Sequence, residues 1–185
     1  MKENMVRVNE VPERPYAEAV DLFRKHINPG LVSLLEMGEY TAINPQRAEG
    51  AVITSSNGEK ILDFVSSYGA LNLGHNHPRV REAILHVFNT YRVDLSKELL
   101  SPYAAYLAHN LSLITPGDLN QFYFCNSGTE AVEAALKLAA RYFKGKRSHF
   151  LYAENSLHGK TLGALSVTGS PRLREYFPLL PGYAV

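Results

Sequence analysis

The stretch from Phe122 to Ala131 combines residue types that suit the binding of an anion. Its sequence, FYFCNSGTEA, predicts a short apolar strand, a polar turn and the start of a helix. The first N–H groups of a helix have no acceptor within the helix, and the helix dipole is positive at that end. Gly128 leaves space for an anion and Thr129 adds a hydroxyl donor. Phosphate is a common ligand of such a junction.

The same residues are also compatible with an ordinary capped helix. Ser127 and Glu130 have the spacing of a capping box, which α/β proteins contain routinely. The turn has neither the spacing and lysine of a P-loop nor the Gly-x-Gly-x-x-Gly pattern of dinucleotide sites. The residues alone therefore leave three alternatives open: a plain helix cap, a cofactor phosphate site, or another phosphate-binding or nucleotide-binding βαβ module.

The elements around this turn predict its fold class. Residues 122–125 are continuously apolar, which predicts a strand covered on both faces, with Cys125 as a small packing residue. A helix should follow as far as Gly145, and residues 149–153 predict another buried strand. A strand, a helix and a strand at this spacing indicate a βαβ unit. We therefore expect an α/β domain with a largely parallel sheet.

The first half of the chain reads differently. Apolar periodicity and proline start signals predict helices at 16–27, after Pro78 and after Pro102. Residues 51–54 and 60–65 flank Asn57-Gly58, which predicts a β-hairpin. Pro45 lies in a segment predicted to be irregular, and residues 163–185 are rich in Gly and Pro. We expect a small lobe over residues 1–115 and an incomplete α/β domain over 116–185.

The composition excludes several classes of protein. The 185 residues are 45% hydrophobic, which suits a packed core, and the formal net charge of +1 gives no basic field for nucleic acid. No apolar run is long enough to cross a bilayer, and the polar N-terminus does not resemble a signal peptide. A single cysteine is compatible with a reducing compartment, so a cytoplasmic location is expected.

Four segments, in order, resemble motifs of one enzyme family. They are 63–78 (DFVSSYGALNLGHNHP), 126–139 (NSGTEAVEAALKLA), 157–166 (LHGKTLGALS) and 177–182 (FPLLPG). Together they look like class III aminotransferases, the group of ornithine, acetylornithine, putrescine and related ω-aminotransferases. The resemblance runs from about residue 30 to the end, and four ordered motifs are far more specific than one. It implies the fold-type-I pyridoxal-phosphate fold and an N-terminal portion of it.

The resemblance assigns the cofactor site. Ser127, Gly128 and Thr129 would bind the phosphate of pyridoxal 5'-phosphate, and His158 would lie near the cofactor. Leu157 matches a position that usually carries Phe or Tyr stacked on the pyridine ring. An aliphatic side chain packs on a ring face without the stacking component, so weaker binding or a changed ring tilt is expected.

The resemblance also suggests residues for the substrate. Tyr68 and Tyr40 match aromatic residues that line the substrate pocket. Lys160 stands where relatives that act on α-amino acids often have Arg, which pairs with a carboxylate through two donors. A lysine is a point charge there, which favours a diamine or another ω-amine as donor. An ordinary loop tyrosine and a solvated surface lysine are the alternatives. His75 and His77 belong to the family loop, so we predict no metal site.

The family also needs residues that this sequence does not match. Transamination requires a lysine that forms a Schiff base with the cofactor and an acidic partner for the pyridine nitrogen. No lysine here lies in a matching context, so no catalytic residue is assigned and the chain alone is expected to be inactive. The resemblance implies a homodimer acting on a small amine and a 2-oxo acid. The alternative is a non-catalytic fragment with a structural or oligomerising role.

Overall fold

The computed structural model describes residues 5–93 and 98–184. The chain divides into two compact units, with the boundary at residues 95–96. Both helices and strands occur, so the expected mixture of α and β structure is confirmed. Within the described ranges, each helix is too short or too polar to cross a membrane.

The N-terminal unit begins with helices. They are a 3₁₀ helix at Val8–Glu13, α1 (Tyr16–His26), α2 (Pro29–Met37), a 3₁₀ turn at Tyr40–Ala42, the single turn α3 (Ser66–Gly69) and α4 (Pro78–Phe88). The predicted helices at 16–27 and after Pro78 are confirmed. Asn28, which ends α1 in the sequence pattern, is the N-cap of α2, since its side chain accepts from the Leu31 amide at 3.0 Å. An ion pair connects α1 to α2, with Arg24 Nη2 and Glu36 Oε1 2.5 Å apart.

An antiparallel sheet of three strands follows α2. The strands are β1 (Pro45–Glu49), β2 (Val52–Ser55) and β3 (Lys60–Leu62), in that order. The predicted hairpin is confirmed, with Gly58 at a φ of 85° in its turn. The irregular segment predicted at Pro45 is wrong, because that segment is β1. A proline at the first residue of an edge strand removes no hydrogen bond that the ladder needs, and the register shifts directly after it.

The C-terminal unit contains four helices and two strands among its described residues. They are α5 (Pro102–Ser112), α6 (Gly128–Tyr142), β4 (Phe150–Tyr152), α7 (Leu162–Ser166), α8 (Pro171–Arg174) and β5 (Gly182–Ala184). The helices predicted after Pro102 and after Ser127 are confirmed. Gly145, at a φ of 72°, donates to the Ala140 carbonyl at 3.1 Å and so ends α6. The sequence pattern did not predict α7 or β5.

Strand β4 confirms the strand predicted at 149–153, and it pairs with β5 in parallel. The buried side chains of this unit lie at β4 and in and after α7. They are Tyr152, Ala164, Leu165, Ser166, Val167 and Thr168. Three of the six, Tyr152, Ser166 and Thr168, carry a hydroxyl group, so the small core of this unit depends on hydrogen bonds as well as on apolar contact.

The strand predicted at residues 122–125 is wrong. These residues belong to no strand in the part of the chain that the structure describes. Tyr123 and Phe124 are 73% and 45% exposed, and Cys125 is exposed rather than buried. A strand forms only where a second segment supplies hydrogen-bond partners, and no described residue does so here. An apolar run predicts the tendency but not the partner.

The predicted division into lobes is a separate matter. Helix α5 lies in the C-terminal compact unit, whereas the sequence analysis placed residues up to 115 in the small lobe. Compactness within this chain and membership of a lobe in a longer protein are different properties. The division at residues 115 and 116 therefore stays a prediction.

Candidate functional site

The N-terminus of α6 has two backbone donors without acceptors. Ser127 is the N-cap, and its Oγ accepts from the Glu130 amide at 3.2 Å. The Glu130 carboxylate accepts from the Asn126 amide at 2.7 Å and from the Ser127 hydroxyl at 3.3 Å, so it lies beside the N-cap. The amides of Gly128 and Thr129 donate to no acceptor among the described residues. Two N–H groups at the positive end of a helix of 15 residues are therefore available to a ligand.

The space in front of these amides is open. A Cβ built on Gly128 would have no heavy atom within 4 Å. An anion can therefore approach the backbone at this position, as the absence of a side chain led us to expect. Thr129, by contrast, is half-buried.

Thr129 is covered by Gly159, which lies in the segment 157–168. A Cβ on Gly159 would overlap the Thr129 hydroxyl oxygen and would lie 3.0 Å from Thr129 Cβ and 2.9 Å from Ala164 Cβ. Gly159 also has a φ of 141°, which side-chain-bearing residues rarely adopt. Only glycine fits this contact. The structure therefore brings the segment 157–168 against the first turn of α6.

Buried hydroxyl groups determine the backbone around His158. Thr168 has no exposed surface, and its Oγ1 accepts from the His158 amide at 3.1 Å. The same oxygen lies 3.1 Å from the carbonyl oxygens of Gly159 and Ala164, to one of which it donates. Ser156 Oγ accepts from the Gly169 amide at 3.2 Å. The backbone of residues 156–159 is therefore held by the buried Thr168 and the half-buried Ser156.

Sequence reasoning missed Glu133, on the second turn of α6. Its Oε1 accepts from the Thr161 hydroxyl at 2.5 Å and from the Ala164 amide at 3.1 Å. These hydrogen bonds, first that of Thr161 and then those of the Ala164 and Gly163 amides, lower the pKa of the Glu133 carboxyl below its ordinary value. Its position one helical turn after Thr129 was the available signal.

The other residues assigned to the cofactor and substrate lie at exposed positions. Leu157 is 66% exposed, and His158 and Lys160 are also exposed. Tyr40 and Tyr68, 62% and 98% exposed, lie in the N-terminal unit. The structure thus groups the residues of α6 that were predicted to bind the cofactor with the segment 157–168, and places both tyrosines in the other unit.

The loop that carries Tyr68 has an unusual backbone. Ser66, Ser67 and Tyr68 have φ values of 49°, 51° and 56°, a left-handed turn that costs about 1–2 kcal/mol per residue without glycine. Asp63 stabilises its start, since Oδ1 accepts from the Ser66 amide at 2.8 Å and Oδ2 pairs with His75 Nε2 at 2.8 Å. Both contacts lower the pKa of Asp63, the Ser66 amide most. Strain of this kind is often found at functional sites.

The histidines of this loop form no metal-binding cluster among the described residues. His75 pairs with Asp63, as described above. In residues 5–93 and 98–184, no group of three His, Cys, Asp or Glu side chains has an arrangement that could bind a metal ion.

The sequence matches the family Aminotransferase class-III over residues 36–183. The fold is similar to an (S)-enantioselective omega-transaminase from Thermomicrobium roseum, with a TM-score of 0.79, 28% identity, 91% of this chain and 39% of that chain covered. It is also similar to adenosylmethionine-8-amino-7-oxononanoate aminotransferase from Methanocaldococcus jannaschii, with a TM-score of 0.78 and 29% identity. That match covers 92% of this chain and 40% of the other chain. A third match is an amine transaminase from an uncultivated Pseudomonas species in its PLP-bound form, with a TM-score of 0.69, 26% identity and coverages of 77% and 34%.

The fold and the site thus define a fold-type-I aminotransferase architecture, and the chain belongs to the class III aminotransferase family. It spans about two fifths of the length of the solved structures that it matches most fully. Enzymes of this family depend on pyridoxal 5'-phosphate. The residues present fit the phosphate end of that cofactor, because two amides at a helix N-terminus have no acceptor among the described residues and the space at Gly128 is open.

Proposed function

We propose that this chain forms the phosphate-binding part of a pyridoxal-phosphate-dependent aminotransferase. The whole enzyme transfers an amino group from an ω-amine, diamine or ornithine-like donor to a 2-oxo acid. One observation supports this most strongly: the amides of Gly128 and Thr129 are unpaired among the described residues and face open space at Gly128. The match to the aminotransferase family supports pyridoxal 5'-phosphate as the ligand of these two amides.

The bound cofactor supplies an electron sink for transfer of the amino group. The chain supplies the binding contacts. The amides of Gly128 and Thr129 donate to the phosphate, and the dipole of α6 favours its negative charge. Ser127, as the N-cap, fixes the direction of these amides. Leu157 would cover a face of the ring by dispersion contact alone, and His158 would lie near the cofactor.

The substrate side of the proposal rests on exposed residues. Tyr68, on its left-handed turn, and Tyr40 line the pocket for the amine. Lys160 replaces the arginine that would pair with an α-carboxylate through two donors, which favours donors without that group. The neighbours named as omega-transaminase and amine transaminase are in keeping with such a donor.

The remaining parts of the proposal concern the whole protein. The lysine that carries the cofactor lies outside these 185 residues, so this chain alone does not catalyse transamination. The enzyme acts in the cytoplasm as a homodimer, with residues 1–115 in the small lobe and 116–185 at the start of the cofactor domain. Many large apolar side chains of the C-terminal unit are exposed, which is in keeping with further contacts. They include Tyr106, Tyr123, Leu138 and Tyr142.

The second candidate is a fragment that has only a structural or oligomerising role. The same exposed apolar surface favours it. Cofactor binding separates the two candidates, because a purely structural piece has no reason to keep a phosphate site.

Binding of pyridoxal 5'-phosphate to the purified chain tests the proposal. Gly128→Val places a branched side chain in the open space before the amides and should weaken binding at least about 10-fold, since it removes charge-assisted hydrogen bonds. Equilibrium dialysis measures the change. Ala131→Val, on an exposed position of the same helix, is the matched control and should leave the affinity unchanged. Equal affinities of wild type and Gly128→Val would contradict the proposed site.

The absence of turnover is tested separately. The purified chain with pyridoxal 5'-phosphate, a diamine and 2-oxoglutarate should form no glutamate above the cofactor-only background. Mass spectrometry of the products measures this. Glutamate production that requires the protein would overturn the inactivity of the chain while leaving the phosphate site intact.

A further inference from the structure

A single carboxylate joins α6 to the N-terminus of α7. The Glu133 carboxylate accepts from the Thr161 hydroxyl at 2.5 Å and from the Ala164 amide at 3.1 Å. A Cβ on Gly163 would lie 2.7 Å from Glu133 Oε1 and Cδ, so a side chain at that position would displace the carboxylate. The first amides of a helix need an acceptor, and here the acceptor comes from a different helix.

This acceptor replaces the usual local cap. Thr161 is the N-cap residue of α7, but its side chain makes no capping bond to α7. Its hydroxyl donates to Glu133 instead. The start of α7 is therefore fixed by α6 and not by its own N-cap side chain.

Two residues on one face of α6 thus contact the segment 157–168. Thr129 contacts Gly159, and Glu133, four residues later and so on the same face, binds Thr161 and Ala164. Between these contacts and the buried Thr168, the backbone of His158 has little freedom.

We propose that Glu133 is a positioning residue of the cofactor site. It sets the position of Leu157 and His158, which would lie at the ring, relative to the amides of Gly128 and Thr129, which would bind the phosphate. The inference rests on the proposed function for the identity of the ligand. A ligand that spans both parts depends on their separation, whereas inorganic phosphate depends on the turn of α6 alone.

The experiment compares two ligands and two variants of the purified chain. Glu133→Ala should weaken binding of pyridoxal 5'-phosphate about 10-fold, the effect of losing one hydrogen bond to a charged group, and leave the affinity for inorganic phosphate unchanged. Glu133→Gln keeps an acceptor oxygen and should recover part of the loss. Equilibrium dialysis measures the cofactor, and NMR shifts of the Gly128 and Thr129 amides measure phosphate.

Hydrogen exchange gives a readout that needs no ligand. In Glu133→Ala, the amides of 157–168 should exchange at least about 10-fold faster, while those of the middle of α6 keep their rates. Thr161→Val, which removes only the donor hydroxyl, should change the same amides in the same direction. Glu154→Gln is the matched control, because the Glu154 side chain makes no hydrogen bond or ion pair with any described residue.

Each outcome decides the proposal. Selective loss of cofactor affinity with faster exchange in 157–168 supports it. Equal loss for both ligands overturns it, since Glu133 would then act on the turn itself, and so does the absence of any change. If the wild type binds neither ligand, the proposed function fails. The exchange rates then decide the positioning role alone, and unchanged rates in both variants would overturn it.

Discussion

Two apolar segments of the C-terminal unit have similar sequences and different structures. Residues 122–125 read FYFC, and residues 150–152 read FLY. The second segment is β4, paired in parallel with β5, and its Tyr152 is buried. The first belongs to no strand among the described residues, and its Tyr123 is 73% exposed. Both precede a segment of the candidate site, so the difference does not follow from the neighbouring motif.

The comparison shows what an apolar run determines. It supplies side chains that favour a strand, but the strand forms only where another segment offers its N–H and C=O groups. Residues 182–184 do this for β4. The turn at 126–129 forms without such a partner, because the side chains of Ser127 and Glu130 accept from backbone amides within the turn. The proposed phosphate-binding turn is therefore determined by its local sequence.

Matched tyrosine truncations give the largest expected effect. Tyr152→Ala removes a buried ring that Arg174 covers at 4.6 Å, and should lower the free energy of unfolding by about 3–5 kcal/mol. Tyr123→Ala removes an exposed ring and should change it by less than about 0.5 kcal/mol. Urea denaturation measures both. Equal losses would mean that residues 122–125 are buried in solution, and the contrast would not stand.

The pH dependence of the stability contributed by Glu133 gives a smaller expected effect. Because the folded-state pKa of Glu133 is below the ordinary value of 4.5, its contribution to stability is complete above that pH. The contribution is lost as the pH falls through the folded-state value. The difference in the free energy of unfolding between wild type and Glu133→Gln should therefore be constant above pH 4.5 and shrink below it.

The control for the acid effect is Glu154→Gln, which leaves the Glu133 contacts in place. Its difference from wild type should not follow the same course with pH. If the difference in the free energy of unfolding between wild type and Glu133→Gln grew as the pH fell, the assigned direction of the pKa shift would be contradicted.

Local signals explain which parts were predictable. The helices that begin at Pro78, Pro102 and Gly128 carry proline or capping signals, and Asn57-Gly58 marks the hairpin, so each was predicted correctly. The strand at 122–125 was not, because its partner is not encoded nearby. Strand β1 was missed because its outer residues are polar, as suits a sheet edge.

The candidate site divides in the same way. The turn at Ser127 and Gly128 could be predicted from residue types, since its geometry comes from the local contacts of Ser127 and Glu130. The Glu133 contact could not, because Glu133 and Thr161 are far apart in sequence and meet only after α6 and α7 have packed. The role of Thr168 was hidden for the same reason, as a buried hydroxyl looks in sequence like any threonine.

The hydroxyl groups of Ser156 and Thr168, on either side of His158, have a consequence for how this site can vary. Ser156 and Thr168 fix the backbone of the segment from below, and neither uses the side chain of Leu157 to do so. The side chain at position 157 therefore does not stabilise the fold, and its substitution should change the free energy of unfolding little. An aromatic residue and leucine can replace each other at such a position, so ligand binding can change while the backbone stays the same.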